Sequence, residues 1–193
     1  MIKPEQVFDI SLVDRPGLSK LNELAIQTKK SKVEGVIVEC GVYRGGSALL
    51  LSNADRPMFL IDSFEKMPAP DTKHDLDWDA EIFWNTENNV NFTRNLLDAH
   101  GVKNYSIIIS KLEDSAPILT FKKGIALLHL DVDLYQSYMT CLINLYPQVN
   151  KGGIIIVDDY GSYTGCRSAL KDYFKAMPDL QDCGTYSKYW IKE

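Results

Sequence analysis

No stretch of this 193-residue chain approaches the apolar length needed to span a bilayer, and its start, MIKPEQVFDI, lacks the apolar core of a secretory signal. A cytoplasmic protein without a membrane segment is the expectation. Cysteine is sparse: Cys40, Cys141, Cys166 and Cys183 lie far apart with no CxxC pair. Reduced core thiols are therefore expected, not a disulfide frame. Positive charge is not in excess either. The net charge of −5 and pI near 5.2 argue against general affinity for nucleic acid or anionic membrane. No repeat, low-complexity tract or linker divides the sequence, so residues 1–193 are expected to form a single domain. A composition of 45% hydrophobic and 24% charged residues suits one substantial core.

What the chain does have is concentrated between Ile125 and Gly161, in IALLHLDVDLYQSYMTCLINLYPQVNKGGIIIVDDYG. An apolar run, Ile125 to Leu130, stops at Asp131 and Asp133. Tyr138, Leu142, Leu145 and Tyr146 then recur at helical spacing. Asn150, Gly152 and Gly153 are read as ending that helix, and Ile154 to Val157 as a second buried strand running into Asp158 and Asp159. A crossover of this length makes the strands parallel and puts both acidic ends on one sheet edge. Neighbouring strands lie about 5 Å apart, so Asp131 and Asp158 could share one cation. The plainer alternative has two of the four carboxylates capping helices and two facing water.

Earlier in the chain, VECGVYRGGS reads as a strand from Val36 to Cys40, a glycine loop, and a helix from Ser47 onward. Such a loop aims backbone N–H groups at a polar or anionic group. A dinucleotide site wants glycine where Tyr43 stands, whereas Glu39-x-Gly41 offers a carboxylate to a cationic group. A cofactor with an amino acid end and an adenosine end fits better than NAD, although tight packing alone would also explain Gly41, Gly45 and Gly46. The strand from Met58 ends at Asp62, in register for ribose hydroxyls or as a helix cap. Residues 67–87, with interleaved acids and aromatics, read as a lid or as an ordinary insertion, and His74 within them as a solvated loop histidine. Asp114, after the strand Tyr105–Ile109, could meet an adenine amino group or cap a turn. Helices are expected over 18–28, over 90–100 and from Tyr163 to Met177, with Arg167 at the surface. A closing hairpin is expected to bury Trp190 and Ile191.

The order of elements predicts an α/β, Rossmann-like doubly wound, mostly parallel sheet with a C-terminal antiparallel hairpin and the site at the strands' carboxyl ends. The segments VECGVYRGGS, IDSFEKMP, LHLDVDLYQS, LYPQVNKGGIIIVDDYG and GCRSALKDYF, spanning about residues 34–175, resemble the macrocin O-methyltransferase family of class I S-adenosylmethionine-dependent enzymes. The resemblance implies that Glu39 and Gly41 hold the methionine end of S-adenosylmethionine, Asp62 the ribose, and Asp114 or its neighbour the adenine. Tyr43, Gly45, Ser47, Ser63 and Asp131 complete the implied cofactor set. It further implies Mg²⁺ or a similar divalent cation on Asp131, Asp158 and Asp159, and Asp133 as general base. The implied reaction is methyl transfer to a hydroxyl of a sugar or other small natural-product-like acceptor, with a homo-oligomer left open. Another metal-dependent enzyme, or a non-catalytic binding module on the same fold, is the competing reading.

Overall fold

The computed structural model describes residues 1–78 and 89–193. Strands β1 (Val36–Cys40), β2 (Met58–Asp62), β3 (Tyr105–Ile109), β4 (Ile125–Leu130), β5 (Val149–Val157), β6 (Gln181–Asp182) and β7 (Lys188–Ile191) form one sheet in the order β3-β2-β1-β4-β5-β7-β6. The first five are parallel, β7 runs antiparallel to β5, and β6 pairs antiparallel with β7. Helices α1 (Arg15–Lys30), α2 (Gly46–Leu51), α3 (Asn89–Ala99), α4 (Leu112–Ser115), α5 (Tyr135–Asn144) and α6 (Thr164–Tyr173) cover its faces. The strand order reverses between β1 and β4, which places a crevice at their carboxyl ends.

Side chains alternate across the pleat, so each central strand feeds two cores. Ile37, Leu127 and Ile156 pack with Leu18, Leu21 and Leu24 of α1 and Leu49 and Leu50 of α2. Val38, Leu128, Leu130 and Ile155 pack with Tyr138 and Leu142 of α5, Leu170 of α6 and Trp190 of β7. All four cysteines are buried free thiols.

Three boundaries differ from the sequence reading. Asn150, Gly152 and Gly153 lie inside β5 and do not end a helix; α5 stops at Asn144, and a 3₁₀ turn over Tyr146–Gln148 precedes the strand. Pro147 is the second residue of that turn, and Asn150 Nδ2 donates to the carbonyls of Glu34 and Lys123, tying strand entries together. Helix α6 ends at Tyr173, not Met177, because Phe174 turns into extended backbone and sets its ring 5.8 Å from that of Trp190. Finally, Trp190 is buried as expected but its neighbour Ile191 is 43% exposed, since adjacent strand residues face opposite ways.

Candidate active site

A cavity of about 500 Å³ opens at the carboxyl ends of β1, β2, β4 and β5. Gly41, Tyr43, Ser47, Asp62 and Ser63 line one side; Asp131, Asp133, Asp158 and Asp159 line another.

The loop after β1 is shaped by close approach. A Cβ on Gly41, at φ 81°, would sit 1.7 Å from the Asp131 carbonyl oxygen, so glycine lets the ends of β1 and β4 touch. Gly45 caps α2 in the left-handed region and packs against Thr93; it does not line the cavity. Tyr43 and Phe64 are also left-handed, at φ 51° and 52°. One carboxylate holds both. Asp62 Oδ2 accepts from the N–H groups of Val42 (2.7 Å) and Tyr43 (3.0 Å), and Oδ1 from Phe64 N–H (2.7 Å). Asp62 thus buckles the turns after β1 and β2 together, a role that its position after an apolar run does not announce.

Glu39 lies beneath this floor. It is fully buried, its Oε1 is 2.9 Å from His129 Nδ1, and its Oε2 has no partner. After β3, both Glu113 and Asp114 are exposed, and of the two only Glu113 lines the cavity.

The carboxylates divide differently from expectation. Ligand oxygens of Asp131, Asp133 and Asp159 all lie within 4.8 Å of one another. Asp158 is not in that set; its Oδ1 accepts from Ser187 Oγ at 2.5 Å, across to the C-terminal hairpin. Asp133 enters by a turn and not by strand alternation, for β4 ends at Leu130 and Asp133 is left-handed at φ 58°. Asp159, 4% exposed, fixes that turn: its Oδ2 accepts from Asp133 N–H (2.9 Å) and Tyr138 Oη (2.7 Å).

Burial, then the charge of Asp158, raises the pKa of Asp159 to about 6 despite those hydrogen bonds. Burial and the surrounding carboxylates push Asp131 and Asp133 well above the ordinary carboxylate range. Burial raises Asp158 as well, against the opposing pull of His129 and Ser187. Burial opposes a charge on His129, yet Glu39, with Asp158 and Asp159 beyond, raises its pKa overall. A set of three oxygen donors that resists ionising together is chemically suited to a hard divalent cation such as Mg²⁺.

The segment expected to be a lid lies partly outside the described residues, which resume at Asn89; Glu81, Phe83 and Trp84 fall there. Its first part is docked. Asp75 Oδ1 accepts from Tyr135 N–H at the start of α5 (2.8 Å), and Asp77 Oδ1 from Thr164 N–H at the start of α6 (2.8 Å). His74 is not simply solvated, for its ring stacks on Tyr135 at 3.8 Å. Arg167 joins Asp77 to the Tyr160 carbonyl. Tyr163, whose pKa burial and then Asp133 raise to about 12, borders the cavity and packs against Trp78. Tyr163 and Ser187 went unassigned in the sequence reading because no spacing links the hairpin or the start of α6 to the strand ends.

Comparison with known proteins identifies the family and the fold. Residues 4–191 match the family model described as macrocin-O-methyltransferase (TylF). Demethyldecarbamoylnovobiocin O-methyltransferase of Streptomyces niveus is 31% identical over 170 residues, covering 79% of this chain and 62% of its own. Mycinamicin III 3''-O-methyltransferase of Micromonospora griseorubida is 29% identical over 180 residues, covering 81% and 68%. This chain therefore spans about two thirds of the length of those relatives. Among solved structures, the O-methyltransferase NovP superposes with a TM-score of 0.76 at 28% identity, covering 90% of this chain and 79% of NovP. The calicheamicin methyltransferase CalS11, at 17% identity and a TM-score of 0.70, shares the fold.

Proposed function

Because the chain belongs to the macrocin O-methyltransferase family, we propose that it transfers the methyl group of S-adenosylmethionine to a hydroxyl of a sugar-bearing natural product, with a divalent cation in the acidic site. The observation that carries this reading is the meeting, in one cavity, of the loop after Gly41 with three clustered carboxylates. The relatives named above act, by their names, on novobiocin-type and mycinamicin acceptors.

The buried, unpartnered Oε2 of Glu39 suits an ammonium group, which fits the amino acid end of the cofactor. Asp62 has spent three hydrogen bonds on the protein, but a carboxylate offers about four lone-pair sites, so ribose hydroxyls can still approach with Ser63 beside them. Glu113 is better placed than Asp114 for adenine.

Asp131, Asp133 and Asp159 would hold the cation, which when bound lowers the pKa of an acceptor hydroxyl and fixes its direction. This grouping favours exchanging the two roles the sequence suggested, with Asp133 as ligand and Asp158 as base. Ser187 engages Oδ1 of Asp158 and leaves Oδ2 to take the hydroxyl proton. The acceptor oxygen then forms its bond to the methyl carbon as the carbon–sulfur bond breaks, and the electron pair stays on sulfur. Tyr163 borders this region, with the ring of Trp78 packed against it.

A screen of glycosylated and phenolic acceptors with methyl-labelled cofactor tests the proposal. Label should move to a glycoside hydroxyl in the presence of Mg²⁺ and cease with chelator. Transfer only to a nitrogen acceptor, or full transfer in chelator, would contradict it.

A further inference from the structure

Two buried side chains beneath the site are each left with an unpartnered polar atom, Glu39 Oε2 and His129 Nε2. They are direct neighbours, since Glu39 and His129 are paired positions on parallel strands β1 and β4. Two residues further on, just past the ends of these strands, stand Gly41 and Asp131, which line the cavity. One pleat repeat, about 6.6 Å, therefore separates the buried pair from the cavity floor. On its other side Glu39 is paired with Leu60, which offers no side-chain donor. The positions sharing its face, Ile37, Leu127 and Ile156, are apolar.

Hydrocarbon at both positions would complete this core without the desolvation cost of a buried carboxylate and imidazole. An ionised carboxylate only accepts, so with Glu39 in that form the 2.9 Å contact is Nδ1–H of His129 donating to Oε1. That bond fixes one oxygen of Glu39 and with it the direction of the other. We propose that His129 is a positioning residue: its hydrogen bond aims Glu39 Oε2 at the ammonium group of the cofactor's amino acid end. This rests on the cofactor reading above and deepens it, for His129 then touches no ligand and acts only through Glu39.

The consequence is selective. S-Adenosylhomocysteine carries the amino acid end, whereas 5′-methylthioadenosine shares the adenosine and sulfur but lacks it. In calorimetric titrations, His129→Leu should weaken S-adenosylhomocysteine binding by about ten-fold or more, the usual scale for losing a charged buried contact. Binding of 5′-methylthioadenosine should stay within about two-fold. His129→Asn, which keeps a donor near the Nδ1 position, should recover most of the loss. Glu39→Gln, close in shape and able to fold where the leucine variant does not, should show the same selectivity, and His129→Leu added to it should cost little more. Equal weakening of both ligands, or additive losses in the double variant, would make His129 a structural residue and overturn the inference. Failure of the parent protein to bind either ligand would overturn the cofactor reading itself, and is recognised before any variant is made.

Discussion

Replacing Asp62 by alanine should damage the protein before any ligand is added. The carboxylate accepts three backbone N–H groups at 2.7–3.0 Å, from Val42, Tyr43 and Phe64. Hydrogen bonds to a charged acceptor contribute about 1.5–3 kcal/mol each when measured singly. The sum overstates the loss for two reasons. Asp62 is half-buried at the cavity wall, where water can replace some of the bonds. Tyr43 and Phe64 are also held in left-handed conformations, and letting them relax returns about 1–2 kcal/mol each. A net loss of about 2–4 kcal/mol is the expected result for Asp62→Ala in urea denaturation of the ligand-free protein. Cofactor binding should fall in the same variant, since the loop from Gly41 loses its shape. Tyr43→Gly in the Asp62→Ala background should then cost little, because glycine carries no left-handed penalty. Unchanged ligand-free stability in Asp62→Ala would refute the reasoning and leave Asp62 as a ligand contact only.

The remaining predictions concern the acidic site and its supports. Asp133→Asn should require more Mg²⁺ for half-maximal rate, whereas Asp158→Asn should keep the parent's requirement but lose turnover by about 10²–10⁴; the reverse pattern would restore Asp133 as base. With its pKa raised by burial to about 6, above the ordinary carboxylate value, Asp159 favours the folded state when protonated. The stability this gives is complete below about pH 4 and is lost as pH rises through 6. Mg²⁺ should therefore stabilise the protein at pH 7.5 and do so far less at pH 5, as protons compete for the same oxygens; an equal increment at both, by thermal denaturation, would deny the site its cation. Asp75→Ala should cost about 1–2 kcal/mol of stability by uncapping α5, and no change would mean the 71–78 segment is only resting on the helix starts.

The parallel sheet and the acidic edge were legible because local patterns encode them. Ile125–Leu130 and Ile154–Val157 are unbroken apolar runs ending in aspartates, which is how a strand buried on both faces looks in sequence. What escaped was set by distant partners. Asn150 looks like a helix stop, yet its amide bridges the Glu34 and Lys123 carbonyls from the entry of β5, contacts 116 and 27 residues away. Asp133 was expected in the cleft because residues two apart on a strand face alike, but it arrives there through a left-handed turn clasped by Asp159. Asp158 is drawn toward Ser187, 29 residues later on a hairpin that carries no motif. Glu39 stood out for its spacing before Gly41, while its partner His129 lay unremarked inside an apolar run 90 residues away.

Direct titration of the parent protein with S-adenosylhomocysteine tests the central claim most simply. Saturable binding at one site per chain, with a dissociation constant on the order of 1–100 µM, is the expected result. It should be lost or sharply weakened in both Asp62→Ala and Glu39→Gln. No binding up to millimolar ligand, or equal binding in the parent and both variants, would contradict a cofactor site between the glycine loop and the four aspartates.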